Sequence, residues 1–113
     1  MIFSPNSADA LRAHTPSTPP STLTNEELAA ALQVLPGWSG TSSEGISRTF
    51  TFPDFRDAFG FATRVGMLAE RRFHHPDLEI SWGSCTVRLV THSASAVTDA
   101  DAVMAAEVDA LHG

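Results

Sequence analysis

The fold of this chain is decided by residues 70–92, which read ERRFHHPDLEISWGSCTVRLVTH. After Pro76, apolar and polar side chains alternate on both sides of the pair Gly83-Ser84. Such alternation around a Gly-X pair is typical of a β-hairpin that is closed by a two-residue type II′ turn. We therefore predict a hairpin with this pair as its turn.

The register of the predicted hairpin determines which residues meet at its open end. With the turn at Gly83-Ser84, Ile80 faces Val87, and continuing the ladder places His92 opposite His75. His74 precedes His75, so three of the five histidines are expected at one end of the hairpin. A cluster of this kind is suited to acid–base catalysis.

Composition limits the class of protein. The chain has 113 residues, of which 42% are hydrophobic, and this is enough for one domain with its own core. A net charge of −6, with no basic cluster beyond Arg71-Arg72, argues against direct nucleic-acid binding. The sequence contains no apolar run of membrane-spanning length and no signal-peptide pattern. Because the single cysteine, Cys85, has no internal disulfide partner, we expect a cytoplasmic protein.

Two segments of different character follow one another along the chain. Residues 1–21 are rich in Pro, Ser and Thr and show no sustained periodicity, which predicts a flexible N-terminal tail. The folded domain is expected over residues 22–113.

The first part of this domain predicts a helix and a hairpin. Thr24 and Glu27 form a capping-box pattern that starts the helix, and Pro36 stops it. Residues 38–52 suggest a hairpin with its turn near residues 43–45. Arg48 interrupts the apolar face of the second strand, so it is expected near a strand end or the sheet edge.

The longest predicted helix spans about residues 54–72, with Asp54 as its N-cap. Phe61 and Met67 lie off its apolar stripe, so the helix is apolar on two sides. Such a helix lies either in a deep core or against a second subunit, and we favour a subunit contact in a homodimer or homotetramer. The stripe itself comprises Phe55, Ala58, Phe59, Ala62, Val65 and Ala69.

The order of these elements predicts the fold class. A last helix starts at the capping pattern of residues 98–101, and Val103, Met104, Val108 and Leu111 mark its buried side. The full order is then α-β-β-α-β-β-α. Two hairpins, each followed by a helix, indicate an α+β protein with two layers, in which a four-stranded antiparallel sheet carries its helices on one face.

Several titratable residues are candidates for chemistry. Glu70 and His74 are four residues apart, so within a helix they are neighbours on one face. A carboxylate there fixes the imidazole tautomer, although His74 and His75 at a helix C-terminus are also favoured by the helix dipole alone. By parity, His92 lies on the polar face of the sheet, where an ordinary exposed histidine stays an open alternative. On spacing alone, Asp101 is first of all a carboxylate at a helix start.

Two other chemistries are weaker alternatives. Three histidines and a glutamate are possible zinc ligands, but no recognised ligand spacing is present, so we expect no metal. Covalent catalysis is not expected because Cys85 is predicted to be buried and no serine stands in a nucleophile-elbow motif.

The combined pattern resembles the pterin-4a-carbinolamine dehydratases, one member of which doubles as a dimerisation cofactor for a homeodomain transcription factor. That family carries a charged residue, His-His-Pro, an aromatic residue, a histidine and an aspartate at set intervals. The likeness extends over about residues 22–112 and includes Pro36-Gly37-Trp38 and Thr91-His92. The matching positions of the main pattern are Glu70, His74-His75-Pro76, Trp82, His92 and Asp101.

The resemblance implies a hydro-lyase that dehydrates 4a-hydroxytetrahydrobiopterin to quinonoid dihydropterin, with a small pterin as substrate and no cofactor. It assigns His74 and His92 as acids for the departing hydroxyl, and His75 as a substrate-orienting or basic residue. It assigns supporting roles to Glu70 and Asp101, which hold the imidazoles, to Trp38, which walls the pterin ring, and to Pro76 and Thr91.

The sequence departs from the family pattern in two places. The loop at residues 93–97 has Ala96 near a position where the family usually carries glycine, and alanine there strains the loop if that position needs positive φ. Phe73 stands where the family often has a polar residue. The alternative to an enzyme is a catalytically idle relative that serves as a protein-binding assembly or coactivator module.

Overall fold

A computed structural model describes residues 3–113. Within these residues, four α-helices and four strands follow one another, with a short 3-10 turn before the last helix. The elements are α1 (Ala8–Ala13), α2 (Asn25–Gln33), β1 (Ser39–Thr41), β2 (Gly45–Thr51), α3 (Phe55–Arg72), β3 (Asp77–Ser81), β4 (Ser84–Leu89), the 3-10 turn (His92–Ala94) and α4 (Asp99–His112).

The strands form one antiparallel sheet in the order β1-β2-β4-β3. Cys85, Val87 and Leu89 alternate along β4 and are fully buried, while Arg88 between them is exposed. Apolar side chains of α3 and α4 belong to the same core as these β4 residues. The predicted α+β class with a four-stranded antiparallel sheet is therefore confirmed.

The hairpin of β3 and β4 is present, but its predicted turn is wrong. Ser81 pairs with Ser84, so the loop residues are Trp82 and Gly83, and Ile80 lies opposite Cys85 instead of Val87. A Cβ at position 83 would lie 3.1 Å from the carbonyl oxygen of Phe52, a tight contact that favours glycine in this loop. Because the register moved by two residues, the apolar face of the hairpin is unchanged.

This register also removes the predicted pairing of His92 with His75. β3 begins only at Asp77, and β4 ends at Leu89, so neither histidine belongs to the ladder. His92 instead begins the 3-10 turn that follows β4. Any convergence of the histidines must therefore come from the loops and not from the strands.

Helix α3 has the predicted limits and N-cap, because the Asp54 carboxylate accepts the N–H of Asp57 at 2.8 Å. Its buried face differs from the prediction. Phe61 is fully buried, with its ring centroid 4.7 Å from that of Phe50, whereas Phe55 and Phe59 are 47% and 53% exposed. The large ring of Phe61 packs on the sheet and sets the rotation of the helix, which leaves the two other rings outside. The buried side comprises Ala58, Phe61, Ala62, Val65, Leu68 and Ala69.

Arg48 lies at the edge of the sheet. Ser47 is the last β2 residue that pairs with β1, so within residues 3–113 the part of β2 that begins at Arg48 has no strand on that side. Its guanidinium is 2.9 Å from Asp109 and 4.3 Å from the centre of the Phe50 ring. The carboxylate and the ring explain how a charged side chain is accommodated on the apolar face.

The segment before residue 22 is not without structure. The helix α1 packs on α4, and Leu11 is fully buried in the common core. This packing contradicts the prediction of a flexible tail for residues 3–21, and Met1 and Ile2 lie outside the described residues. The sequence did not reveal α1 because a six-residue helix is too short for a periodic pattern. Within residues 3–113, no helix combines the length and the apolar character that a membrane crossing needs.

Candidate active site

The end of α3 positions the adjacent histidines. Phe73 adopts the left-handed conformation at φ 51°, and the N–H groups of Phe73 and His74 donate to the carbonyls of Glu70 and Ala69. These two bonds define a Schellman cap, which normally uses glycine at the left-handed position. A phenylalanine there costs about 1 kcal/mol, and such strain is commonly found next to functional sites.

His74 contacts a buried carboxylate. Its Nε2 is 2.6 Å from Oδ1 of Asp101, which is 0% exposed. The other oxygen, Oδ2, accepts the hydroxyl of Thr91 and the N–H of Thr98, both at 2.8 Å. Because Thr91 and Thr98 hold Oδ2 and a carboxylate only accepts hydrogen bonds, Oδ1 fixes the imidazole ring with a proton on Nε2. Nδ1 of His74 is then the ring nitrogen that does not contact the carboxylate.

The predicted pairing of Glu70 with His74 is wrong. Glu70 instead contacts His75, with Oε2 2.6 Å from Nε2, and both side chains are largely exposed. The four-residue spacing makes neighbours only while the helix continues, and the left-handed residue Phe73 turns the chain before His74. The cap thus gives each of the two adjacent histidines its own carboxylate.

His92 is exposed, as its predicted place outside the core requires, but it lies in the 3-10 turn and not on the sheet face. Its neighbour Thr91 is buried and contacts the same carboxylate as His74. Thr91 and Ala96 also bond to each other through their backbones, which closes the loop. The structure therefore links the His92 loop to Asp101 through one residue.

The loop strain predicted at Ala96 falls on a different residue. Ser95 has φ 50°, whereas Ala96 is not among the residues with positive φ. Alanine at position 96 is therefore not forced into a conformation that favours glycine.

Not all residues proposed for the site come together. Trp38 is 5% exposed and donates from Nε1 to Asp109 at 2.9 Å. Asp109 lies two turns along α4 from Asp101, so the structure does not bring Trp38 to the histidines. Pro76 connects His75 to β3 and is half-buried.

One member of the site was missed as a chemical group. Thr98 is fully buried, and its hydroxyl lies 2.7 Å from that of Thr91. The sequence signals it only as the N-cap of α4, since its contact with Thr91 depends on how the loop folds back. Thr98 and Thr91 together hold the carboxylate of Asp101.

Neither metal binding nor covalent catalysis by Cys85 is supported by the arrangement of residues 3–113. Within residues 3–113, no three His, Cys, Asp or Glu side chains gather in a way that could hold a metal ion. Cys85 is fully buried, and burial raises the pKa of its thiol, so it is poorly suited to act as a nucleophile.

The fold and the site together define a small α+β protein whose candidate chemistry rests on histidine–carboxylate pairs at helix ends. The model of the family described as pterin 4 alpha carbinolamine dehydratase matches residues 21–111, and this chain belongs to that family. The predicted resemblance is confirmed.

Three comparisons give the extent of the likeness. A Bradyrhizobium protein named "Putative pterin-4-alpha-carbinolamine dehydratase" is 47% identical, over 79% of this chain and 90% of its own length. A Rhizorhabdus wittichii protein of the same name is 44% identical, over 79% of this chain and 93% of its own length. The crystal structure of a transcriptional coactivator/pterin dehydratase from Brucella melitensis has a TM-score of 0.77 at 37% identity, and it covers 82% of this chain and 100% of the other.

Proposed function

We propose that this protein is a hydro-lyase that dehydrates 4a-hydroxytetrahydrobiopterin to quinonoid dihydropterin and so supports tetrahydropterin recycling. The observation that carries the proposal is the contact of His74 with Asp101, because it presents one imidazole nitrogen for proton transfer beside a buried anion. Family membership supports the pterin as substrate.

The reaction needs two proton transfers. A proton is added to the 4a-hydroxyl oxygen, the C4a–O bond breaks and water leaves. The proton on ring nitrogen N5 is removed, and the electron pair of the broken N5–H bond forms the C4a=N5 double bond of the product. General acid and general base catalysis by positioned histidines suits both transfers.

We assign the acid role to His74, whose second proton is carried on Nδ1 when the ring is protonated. His92 is assigned as a second acid at the same hydroxyl, since its loop is tied to Asp101 through Thr91. His75 is assigned as the base or orienting group, held by Glu70. Asp101 and Glu70 act as positioning residues, and no metal or cofactor is needed for this reaction.

The test is the decay of 4a-hydroxytetrahydrobiopterin, generated in place by a pterin-dependent hydroxylase and followed by its ultraviolet absorbance. The wild-type protein should accelerate the decay over the spontaneous rate, and His74→Ala and His92→Ala should each lose most of that acceleration. His112→Ala is the matched control, because this histidine lies at the other end of α4 from Asp101. Full activity in both His74→Ala and His92→Ala would contradict the assigned roles.

A second function, binding another protein without catalysis, is suggested by the Brucella melitensis relative, which is named as a coactivator as well as a dehydratase. A pterin dehydratase-like protein described as a RuBisCO assembly factor shares the fold at 22% identity, with a TM-score of 0.56 over 67% of this chain and 87% of its own. The presence of both histidine–carboxylate pairs favours the enzyme. A wild-type protein that does not accelerate the decay would favour the binding module.

We also propose a homo-oligomer in the cytoplasm. Phe55 and Phe59 stack with ring centroids 5.9 Å apart on the outer side of α3, and Met67 is 59% exposed on the same helix. Exposed apolar side chains of this size favour contact with a second copy. A free thiol at Cys85 is compatible with a reducing compartment.

A further inference from the structure

A cavity of about 560 Å³ opens beside His74. One wall is formed by residues 12–20, here called the N-terminal arm, and the opposite wall by α4 and the end of α3. Cavities of several hundred Å³ commonly hold small molecules. Of the candidate catalytic histidines, His74 is among the residues that line it, while His75 and His92 are not.

The N-terminal arm is anchored to the first residue of α4. Asp99 is 3% exposed and accepts the N–H group of Ser17 in the arm at 2.9 Å and that of Ser21, the residue directly after the arm, at 3.0 Å. Its Oδ2 also lies 3.2 Å from Nε2 of His14. Burial opposes the charge of Asp99, but the hydrogen bonds from Ser17, His14 and Ser21 outweigh it and lower the pKa of the carboxyl. The arm is thus held two residues from Asp101, the partner of His74.

The covalent structure of the proposed substrate indicates which of its groups lies near this cavity. In a 4a-hydroxytetrahydropterin, C4a is separated only by N5 from C6, which carries the variable side chain of the molecule. If His74 serves the 4a-hydroxyl, the substituent on C6 begins close to the same imidazole. The cavity beside His74 is therefore within reach of that substituent.

The lining of the cavity fits a short carbon chain with hydroxyl groups. Ala13 and Pro16 of the arm and Val103 of α4 supply apolar surface. Arg72 and Glu107, which form an ion pair, supply polar groups at the same cavity. Hydroxyls on a bound chain can hydrogen-bond to such a pair while the carbon atoms contact the apolar wall.

We propose that the cavity between the N-terminal arm and α4 receives the C6 side chain of the pterin, so that the arm selects among pterins by this side chain. The inference rests on the proposed function. The family model begins at residue 21, so the arm lies outside the part of the chain that defines the family. Selection by the arm is therefore a property of this chain in addition to the family's reaction.

The experiment compares two substrates that share the ring, one with the dihydroxypropyl side chain of biopterin and one with a methyl group at C6. Ala13→Trp places a large ring on an exposed arm residue that lines the cavity. We expect the ratio of kcat/KM for the long over the short side chain to fall about tenfold, since a blocked pocket rejects the longer chain. Thr15→Trp, at a second exposed lining residue, should change the ratio in the same direction.

Ala29→Trp is the matched control, because Ala29 is exposed on α2 and does not line the cavity. It should leave both rates within twofold of the wild type. An unchanged ratio in both arm variants, with an active wild type, overturns this inference and leaves the proposed function intact. A wild type inactive on both substrates refutes the proposed function, and this inference falls with it.

Discussion

Nε2 of His74 lies 2.6 Å from Oδ1 of Asp101, although the two residues are 27 positions apart. The carboxylate also accepts the backbone N–H of Thr98, so it caps α4 and holds a histidine at the end of α3. Asp101 therefore has two roles: it stabilises the start of α4, and it orients His74, the candidate acid.

Asp101→Asn should lower kcat for the dehydration by at least about 10-fold and by up to about 10⁴-fold, the loss found when the aspartate that orients a catalytic histidine becomes an amide, while KM changes by less than about threefold. The amide keeps an oxygen for the Thr98 N–H but presents an N–H₂ donor to His74, which reverses the tautomer. Steady-state kinetics over a range of pH measure this, and the pH profile should change shape. A wild-type kcat in a folded Asp101→Asn protein would refute the positioning role.

Glu70→Gln should reduce kcat less than Asp101→Asn does, because the pair of Glu70 and His75 is largely exposed. The free energy of unfolding should change by at most about 0.5 kcal/mol, since exposed ion pairs contribute little. Kinetics and urea unfolding of the same preparations measure both quantities. Glu79→Gln, on an exposed residue of β3, serves as the control. A larger kinetic loss in Glu70→Gln than in Asp101→Asn would reverse the ranking of the two carboxylates.

Asp99→Asn should destabilise the protein at pH 7 by about 1–2 kcal/mol, because hydrogen bonds to a buried charge are lost. The folded-state pKa of Asp99 is lowered, so ionised Asp99 contributes stability above the ordinary carboxyl pKa of about 3.9. That contribution disappears as the pH falls from there through the folded-state pKa. The difference between wild type and variant in urea unfolding should thus shrink towards low pH.

Asp77→Asn is the control for this pH dependence, since Asp77 is exposed at the start of β3. Its effect on unfolding should be small at every pH. A constant difference between wild type and Asp99→Asn across the acid range would show that the charge of Asp99 does not hold the arm.

Phe59→Glu and Met67→Glu should weaken self-association, because each puts a charge into an apolar surface on the outer side of α3. Sedimentation velocity at several protein concentrations measures the mass of the species present. Ala29→Glu, on the exposed side of α2, is the control and should leave the mass unchanged. A wild type that stays monomeric at all concentrations would contradict the proposed oligomer.

Local patterns carried much of this structure. The capping signals at Thr24, Asp54 and Thr98 act within one helical turn, so the helix starts were predictable from neighbouring residues alone. The family was identified from the spacing of the histidines along the chain, which is also read directly from the sequence. The hairpin turn at Trp82 and Gly83 was misplaced because Gly83 is held by a backbone hydrogen bond from Phe52, a partner that the local pattern of the hairpin does not reveal.

By itself, the sequence determined the order of the elements from α2 onwards, the apolar faces of β2, β3 and β4, and the family to which the chain belongs. Only the tertiary structure decided that His74 contacts Asp101, that His75 contacts Glu70 and that Leu11 fastens the N-terminal segment to the core. The physical reason is range. Helix caps and strand alternation depend on residues a few positions apart, whereas the partner of each histidine depends on a left-handed turn and on packing between elements that only the complete fold brings together.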